Sequence, residues 1–87
     1  MAWTIEYDAA ARKQLRKLGG DPAARIIGGL EKLAVLDDPR VRAKAMVKEW
    51  SGYWRFRVDD FRVIAQIEDQ KLVILVVAVG HRREIYR

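Results

Sequence analysis

The stretch Tyr53-Trp54-Arg55-Phe56-Arg57-Val58-Asp59-Asp60-Phe61-Arg62-Val63-Ile64 decides the fold. Apolar and polar residues alternate on both sides of Asp59-Asp60, the period-two signature of strands. A tight turn centred on the two aspartates makes a hairpin, although this pair is not the favoured Asn-Gly or Asp-Gly. In that register Val58 faces Phe61, Arg57 faces Arg62 and Phe56 faces Val63. Trp54, Phe56, Val58, Phe61, Val63, Ala65 and Ile67 share one face, where helices can cover them. Tyr53, Arg55, Arg57, Arg62, Ile64 and Gln66 share the other. Strands over 53–58, 61–68 and 71–79, joined by turns at Asp59-Asp60 and Asp69-Gln70, form an antiparallel meander. The third strand is apolar on both faces, which places it centrally, beside an N-terminal strand. An unbroken meander sets Val77 opposite Arg62 and turns Val73, Leu75, Val77 and Val79 away from the helices.

Upstream, Trp3, Ile5 and Tyr7 alternate with Thr4 and Glu6, which predicts the N-terminal strand. Asp8 is a good N-cap for a helix over Ala9 to Leu18, ended by Gly19-Gly20. Asp21-Pro22 starts a second helix, with Asp as N-cap and Pro in the first turn. Ile26, Ile27, Leu30, Leu33 and Ala34 form its apolar stripe. Gly28 and Gly29 interrupt it at about 1 kcal/mol each relative to Ala, but small residues let a helix approach a neighbour closely. Asp37-Asp38-Pro39 stops the helix. Arg40 to Val47 reads either as another helical turn or as a basic loop. The expected fold is α+β in β-α-α-β-β-β order. Two helices lie on one face of a mostly antiparallel four-stranded sheet, in a single domain spanning residues 1–87.

The chain has 87 residues, 17 Lys and Arg against 12 Asp and Glu, and a net charge of +5. Its pI near 9.9 is the footprint expected of a nucleic-acid binder. The absence of cysteine excludes disulfides and thiolate metal sites and fits a reducing cytoplasm. The N-terminus lacks the basic and apolar regions of a signal peptide. The longest apolar run, Leu72 to Val79, is too short to span a bilayer, so no membrane role is expected.

Two arginines directly across a strand pair repel, at a cost of a few tenths of a kcal/mol. Arg55 adds a third charge. A sheet selected only for folding pairs Arg with Glu, so the cluster reads as an anion site; the alternative is that Asp59 and Asp60 neutralise it. The tail Gly80-His81-Arg82-Arg83-Glu84-Ile85-Tyr86-Arg87 emerges nearby in the meander. Arg57, Arg62, Arg82 or Arg83, and Tyr86 then converge. Guanidinium forks match phosphate oxygens, and an aromatic ring stacks on an exposed base.

The quoted stretch is similar to the Y-x-I-R-x-G-D-Y-R-V-x-Y region of the RelE/ParE toxin superfamily. Ile67-Glu68-Asp69, Val73 to Val79 and Gly80-His81-Arg82-Arg83-Glu84-Ile85-Tyr86 resemble its closing strand and V-G-H-R-x-x-V-Y ending. The resemblance implies the toxin of a type II toxin–antitoxin pair. RelE-like members enter the ribosomal A site and cut mRNA by attack of a 2′-hydroxyl on the adjacent phosphate, with no metal or cofactor. It implies phosphate contacts for Arg62 and for Arg82 or Arg83, basic strand positions for Arg55 and Arg57, and the terminal tyrosine role for Tyr86. The implied partners are a cognate antitoxin, the ribosome and mRNA. In the best-studied pattern, lysines stand where this chain has Arg55 and Arg57. Arginine does not give up its proton, so these two serve as electrostatic stabilisers and not as bases. His81 has the intrinsic pKa for proton transfer near neutrality, and Glu84 and Tyr86 are the other candidates.

Arg12, Lys13, Arg16 and Lys17 form a basic patch on the first helix, either a solvated face or an RNA contact. Arg40, Arg42, Lys44 and Lys48 are read the same way. Trp50 and Trp54 are assigned to packing, Trp54 on the core face. The apolar outer surface of the third strand is expected to meet the antitoxin. Two other functions share the fold: a ParE-like gyrase inhibitor, and a non-enzymatic subunit that binds an antitoxin and represses its operator.

Overall fold

The computed structural model describes residues 2–81. The elements are β1 (Thr4–Tyr7), α1 (Ala9–Leu18), α2 (Gly20–Ala34), β2 (Ala43–Ala45), β3 (Trp54–Val58), β4 (Phe61–Glu68) and β5 (Val73–His81). Two 3₁₀ turns, Pro39–Arg42 and Lys48–Trp50, flank β2. Among the described residues no helix is long and apolar enough to cross a membrane. The sheet has five strands in the order β1-β5-β4-β3-β2. β1 runs parallel to β5, and the other neighbours are antiparallel.

The fifth strand corrects the expected count of four. Ala43-Lys44-Ala45, within the segment read as a helical turn or a loop, pairs with Phe56-Arg55-Trp54 at the sheet edge. Three residues carry too little periodicity to stand out from a loop; pairing with β3 makes them a strand.

Asp8 caps α1 as expected, its Oδ1 accepting from the Ala11 N–H at 2.8 Å. α2 begins one residue before the expected cap. Gly19, at φ 61°, is the N-cap, and Asp21 and Pro22 lie in the first turn, where a carboxylate and a proline are both favourable. Gly29 lets α2 press on β3: a Cβ there would sit 2.9 Å from both Val58 methyl carbons, whereas Gly28 faces open space.

Ile26 and Leu30 of α2, Ala11 and Leu15 of α1, and Phe56, Val63, Ala65, Ile74, Val76 and Val79 of the sheet form the core. Trp54, Val58, Phe61 and Ile67 pack against it from the predicted face. The β3–β4 hairpin has the expected register, with Arg57 opposite Arg62. β4 and β5 do not. Ala65 pairs with Val76 but Ile64 pairs with Ala78, so Val77 is an extra residue, a β-bulge. One extra residue inverts the facing of everything after it. The longer β4–β5 turn already sets Glu68 opposite Val73 and not Lys71, a shift of two residues, and the bulge adds a third, so Arg62 lies opposite Gly80, not Val77; the bulge also turns Val79 into the core instead of away from it. β5 also continues through Gly80 to His81 instead of ending at Val79.

Candidate phosphate-binding face

The site is built on the face of β2, β3 and β4 that no helix among the described residues covers. Alternation turns Phe56 inward and Arg55 and Arg57 outward, and the Asp59-Asp60 turn brings Arg62 beside Arg57. Asp59 takes a left-handed φ of 53°, which Asp tolerates better than most residues. Its carboxylate lies 3.8 Å from the exposed Arg25 guanidinium on α2, so it looks to the helix side of the turn. Neutralisation of the arginine pair by Asp59 is therefore not what the geometry shows.

The three arginines differ in setting. Arg57 is exposed. Arg55 and Arg62 are half-buried, with Nε of both and Nη1 of Arg62 out of solvent contact. Ile64, opposite Arg55 on the same face, is fully buried. Two of the three guanidinium groups are thus drawn into the protein surface, while the third stands into water. Packing of the long stems limits rotamer freedom, so the side chains of Arg55 and Arg62 are more restricted than that of Arg57.

β2 adds a charge that sequence reasoning did not place. Lys44 pairs with Arg55, and directly opposed residues share a face. Lys44, Arg55, Arg57 and Arg62 therefore form one basic surface. The signal was present as a small-basic-small triplet, but its strand character came only from pairing with β3.

His81 does not join this group. It pairs with Phe61, and their rings meet edge to face, with centroids 5.9 Å apart. Phe61 packs on the core side, so His81 lies across the sheet from Arg57 and Arg62. Gly80, opposite Arg62, is the last residue of the arginine face that the structure describes. Arg82, Arg83 and Tyr86 lie outside the described residues.

The end of β5 is held by a contact that nothing in the sequence announced. β1 ends at Tyr7, opposite Val76, so the N–H of Val79 has passed the end of its neighbour. Gln14 of α1 reaches over, and its Oε1 accepts from that N–H at 2.6 Å.

The remaining predicted contacts divide. Arg12, Lys13, Arg16 and Lys17 are exposed on α1, which covers the other side of the sheet, so this patch is separate from the arginine face. Lys48 is exposed in the 3₁₀ turn after β2, at φ 58°. Arg40 is committed within the protein. It bonds Asp69 Oδ2 at 2.6 Å and Asp38 Oδ1 at 3.1 Å, and its guanidinium carbon lies 5.5 Å from the Trp54 ring centroid. The Asp69 carboxyl is held below its ordinary value, first by the Arg40 hydrogen bond. Trp50 packs edge to face on Tyr53, with centroids 5.5 Å apart.

A family model described as the ParE toxin of a type II toxin–antitoxin system, parDE, matches residues 5–86. The mRNA interferase toxin RelE of Escherichia coli is 32% identical over 89 residues, covering 99% of this chain and 92% of that protein. Toxin RelG of Mycobacterium tuberculosis is 28% identical over 90 residues, covering 100% and 99%. Among solved structures, the toxin–antitoxin complex RelBE2 of M. tuberculosis superposes with a TM-score of 0.85 at 22% identity, covering 97% of this chain and 95% of that one. The intact E. coli RelBE complex gives 0.71 at 26%, covering 92% and 96%. A match across nearly the whole chain, joined to this sheet order, makes the protein a RelE-like toxin of the type II toxin–antitoxin family.

Proposed function

We propose that the protein is an endoribonuclease that cuts mRNA in the ribosomal A site in the cytoplasm, and that an acidic antitoxin silences it. The observation that carries this reading is the Arg57–Arg62 pair beside Arg55 on the face that the described helices leave uncovered. Its cost in like-charge repulsion is offset when a phosphate binds. The E. coli relative, an mRNA interferase toxin by name, supports the same reading.

In the proposed reaction a ribose 2′-oxygen attacks the adjacent phosphorus. The new 2′-O–P bond forms as the P–O5′ bond breaks. The products are a 2′,3′-cyclic phosphate and a 5′-hydroxyl, and the proton of the attacking hydroxyl is passed on as the leaving oxygen gains one. The nucleophile belongs to the RNA, so the protein's work is to align it and to stabilise the extra negative charge on the phosphoryl oxygens. Arg55 and Arg62, drawn into the protein surface, supply the more restricted donors. Arg57 closes from solvent. Arg82 or Arg83 completes the cluster, and Tyr86 stacks on a base. His81, across the sheet, has no part in proton transfer.

Primer extension after induction tests the proposal. Wild type should stop translation and leave mRNAs cut within codons. Arg62→Ala should lower cleavage at least a hundredfold, in line with loss of a transition-state charge partner, while circular dichroism stays native. Equal cutting by the mutant would remove Arg62 from the site. The family match to ParE keeps one other reading in play, inhibition of DNA gyrase. DNA damage with translation initially intact would favour it.

A further inference from the structure

Three surface hollows run in series over the β2 edge. The first, about 460 Å³, lies between α2 and the end of β3; Leu33, Leu36 and Val58 give it an apolar wall, and Lys32, Arg42 and Arg57 supply cations. The second, about 280 Å³, shares Arg42 and Arg57 with the first and adds Lys44 and Arg55. The third, about 340 Å³, shares Lys44 and Arg55 and adds Lys48 and Trp50. Among the described residues, Glu49 is the one acidic residue lining any of the three.

A short edge strand with a lysine is a common guard against sheet-to-sheet pairing. That accounts for Lys44. It does not account for a run of cations that begins on α2, crosses the edge and continues onto the arginine face almost without a carboxylate. A polyanion lying along Lys32, Arg42 and Lys44 relieves the repulsion among them. The apolar wall of the first hollow suits the flat face of a base, and the cations on either side suit its phosphates. Single-stranded nucleic acid is held by this combination of basic groove and apolar or aromatic platforms. An acidic protein segment is the competing occupant, but continuity with the phosphate-binding face favours RNA.

We propose that the band is a single-stranded RNA track. It carries the substrate strand off the arginine face and over the β2 edge, with a base in the α2–β3 hollow and neighbouring phosphates on Arg42 and Lys44. The proposal rests on the reading of the arginine face as a phosphate site and extends it to residues that the cleavage step does not require.

Fluorescence anisotropy with an uncleavable 2′-O-methyl decanucleotide tests it on the isolated protein. Arg42→Gln and Lys44→Gln, both at exposed positions, should each weaken binding about threefold to tenfold. Each should also lower the slope of log affinity against log salt by about 0.7, the value for one single-strand phosphate contact. Leu36→Asn should weaken binding with the slope unchanged, because it alters the wall and not the charge. Lys71→Gln, in the β4–β5 turn and lining none of the three hollows, is the control for net charge. If the Arg42 and Lys44 variants match Lys71→Gln in affinity and slope, the track is not used. If they weaken only the antitoxin complex, the band is a protein-docking surface and the proposal is overturned. Cleavage on ribosomes is read separately: oligonucleotide binding through the band by a protein that cuts no mRNA would uphold the track and sink only the nuclease reading.

Discussion

At the scale of single residues, the arginine face depends on side chains that lie outside it. Gln14 is the clearest case. Val79 N–H lies beyond the end of β1, and Gln14 Oε1 is its acceptor. Losing the acceptor leaves a part-buried donor unpaired, a cost of about 1–3 kcal/mol. Gln14→Met, similar in shape but without the carbonyl, should lower stability by that amount in urea titration and speed amide exchange at Val79. Gln14→Glu keeps an acceptor and should recover most of the protection. If Met and Glu exchange alike, the hydrogen bond does not hold the strand.

Elements meet at two junctions that make separate predictions. α2 rests on β3 through Gly29, with no room for a methyl group beside Val58. Gly29→Ala should destabilise by about 1–3 kcal/mol through overpacking, reduced by the helix-propensity gain. Gly28→Ala meets nothing within 4 Å and should stabilise by about 0.5–1 kcal/mol. Thermal melts of the two neighbours should therefore move in opposite directions. The second junction ties the 3₁₀ turn before β2 to the β4–β5 turn through Arg40 and Asp69. Asp69 has its carboxyl below the usual 3.8, so the folded state takes up that proton only at lower pH than the unfolded chain. The linkage contribution is complete above the unfolded value and fades as pH falls through the depressed one. Arg40→Ala should narrow the stability gap between pH 6 and pH 3 relative to wild type. An unchanged gap would show that the bridge adds nothing to acid stability.

The molecule as a whole carries +5, concentrated by the fold into an arginine face, a β2 edge and an α1 patch on the other side. On the proposed function, RNA and an acidic antitoxin compete for the same surface. Antitoxin should displace the decanucleotide from the arginine face, and raising salt should weaken both complexes. Simultaneous binding at full affinity would mean that the antitoxin silences the toxin from elsewhere. The α1 patch faces away from the site, so Arg16→Gln should leave oligonucleotide affinity near wild type while reducing association with ribosomes. Sedimentation with ribosomes would show this, and unchanged association would mark the patch as a solvated helix face.

From the order of residues alone came the hairpin that opposes Arg57 and Arg62, the inward face of β3 and β4, both helices and the place of β1 beside the central β5. These follow from periods of two and 3.6 and from turn residues, all local in the chain. Tertiary contacts alone made Ala43–Ala45 a strand, inserted the bulge at Val77, put Val79 in the core and carried His81 to the far side. Each is a choice between nearly equal local conformations, and partners distant in sequence tip it. Val77 among apolar neighbours fits either face, so only the fit of β5 between β1, β4 and α1 decides where the extra residue goes. The basic face follows the same division: local alternation turned its arginines outward, and long-range pairing supplied Lys44 and withheld His81.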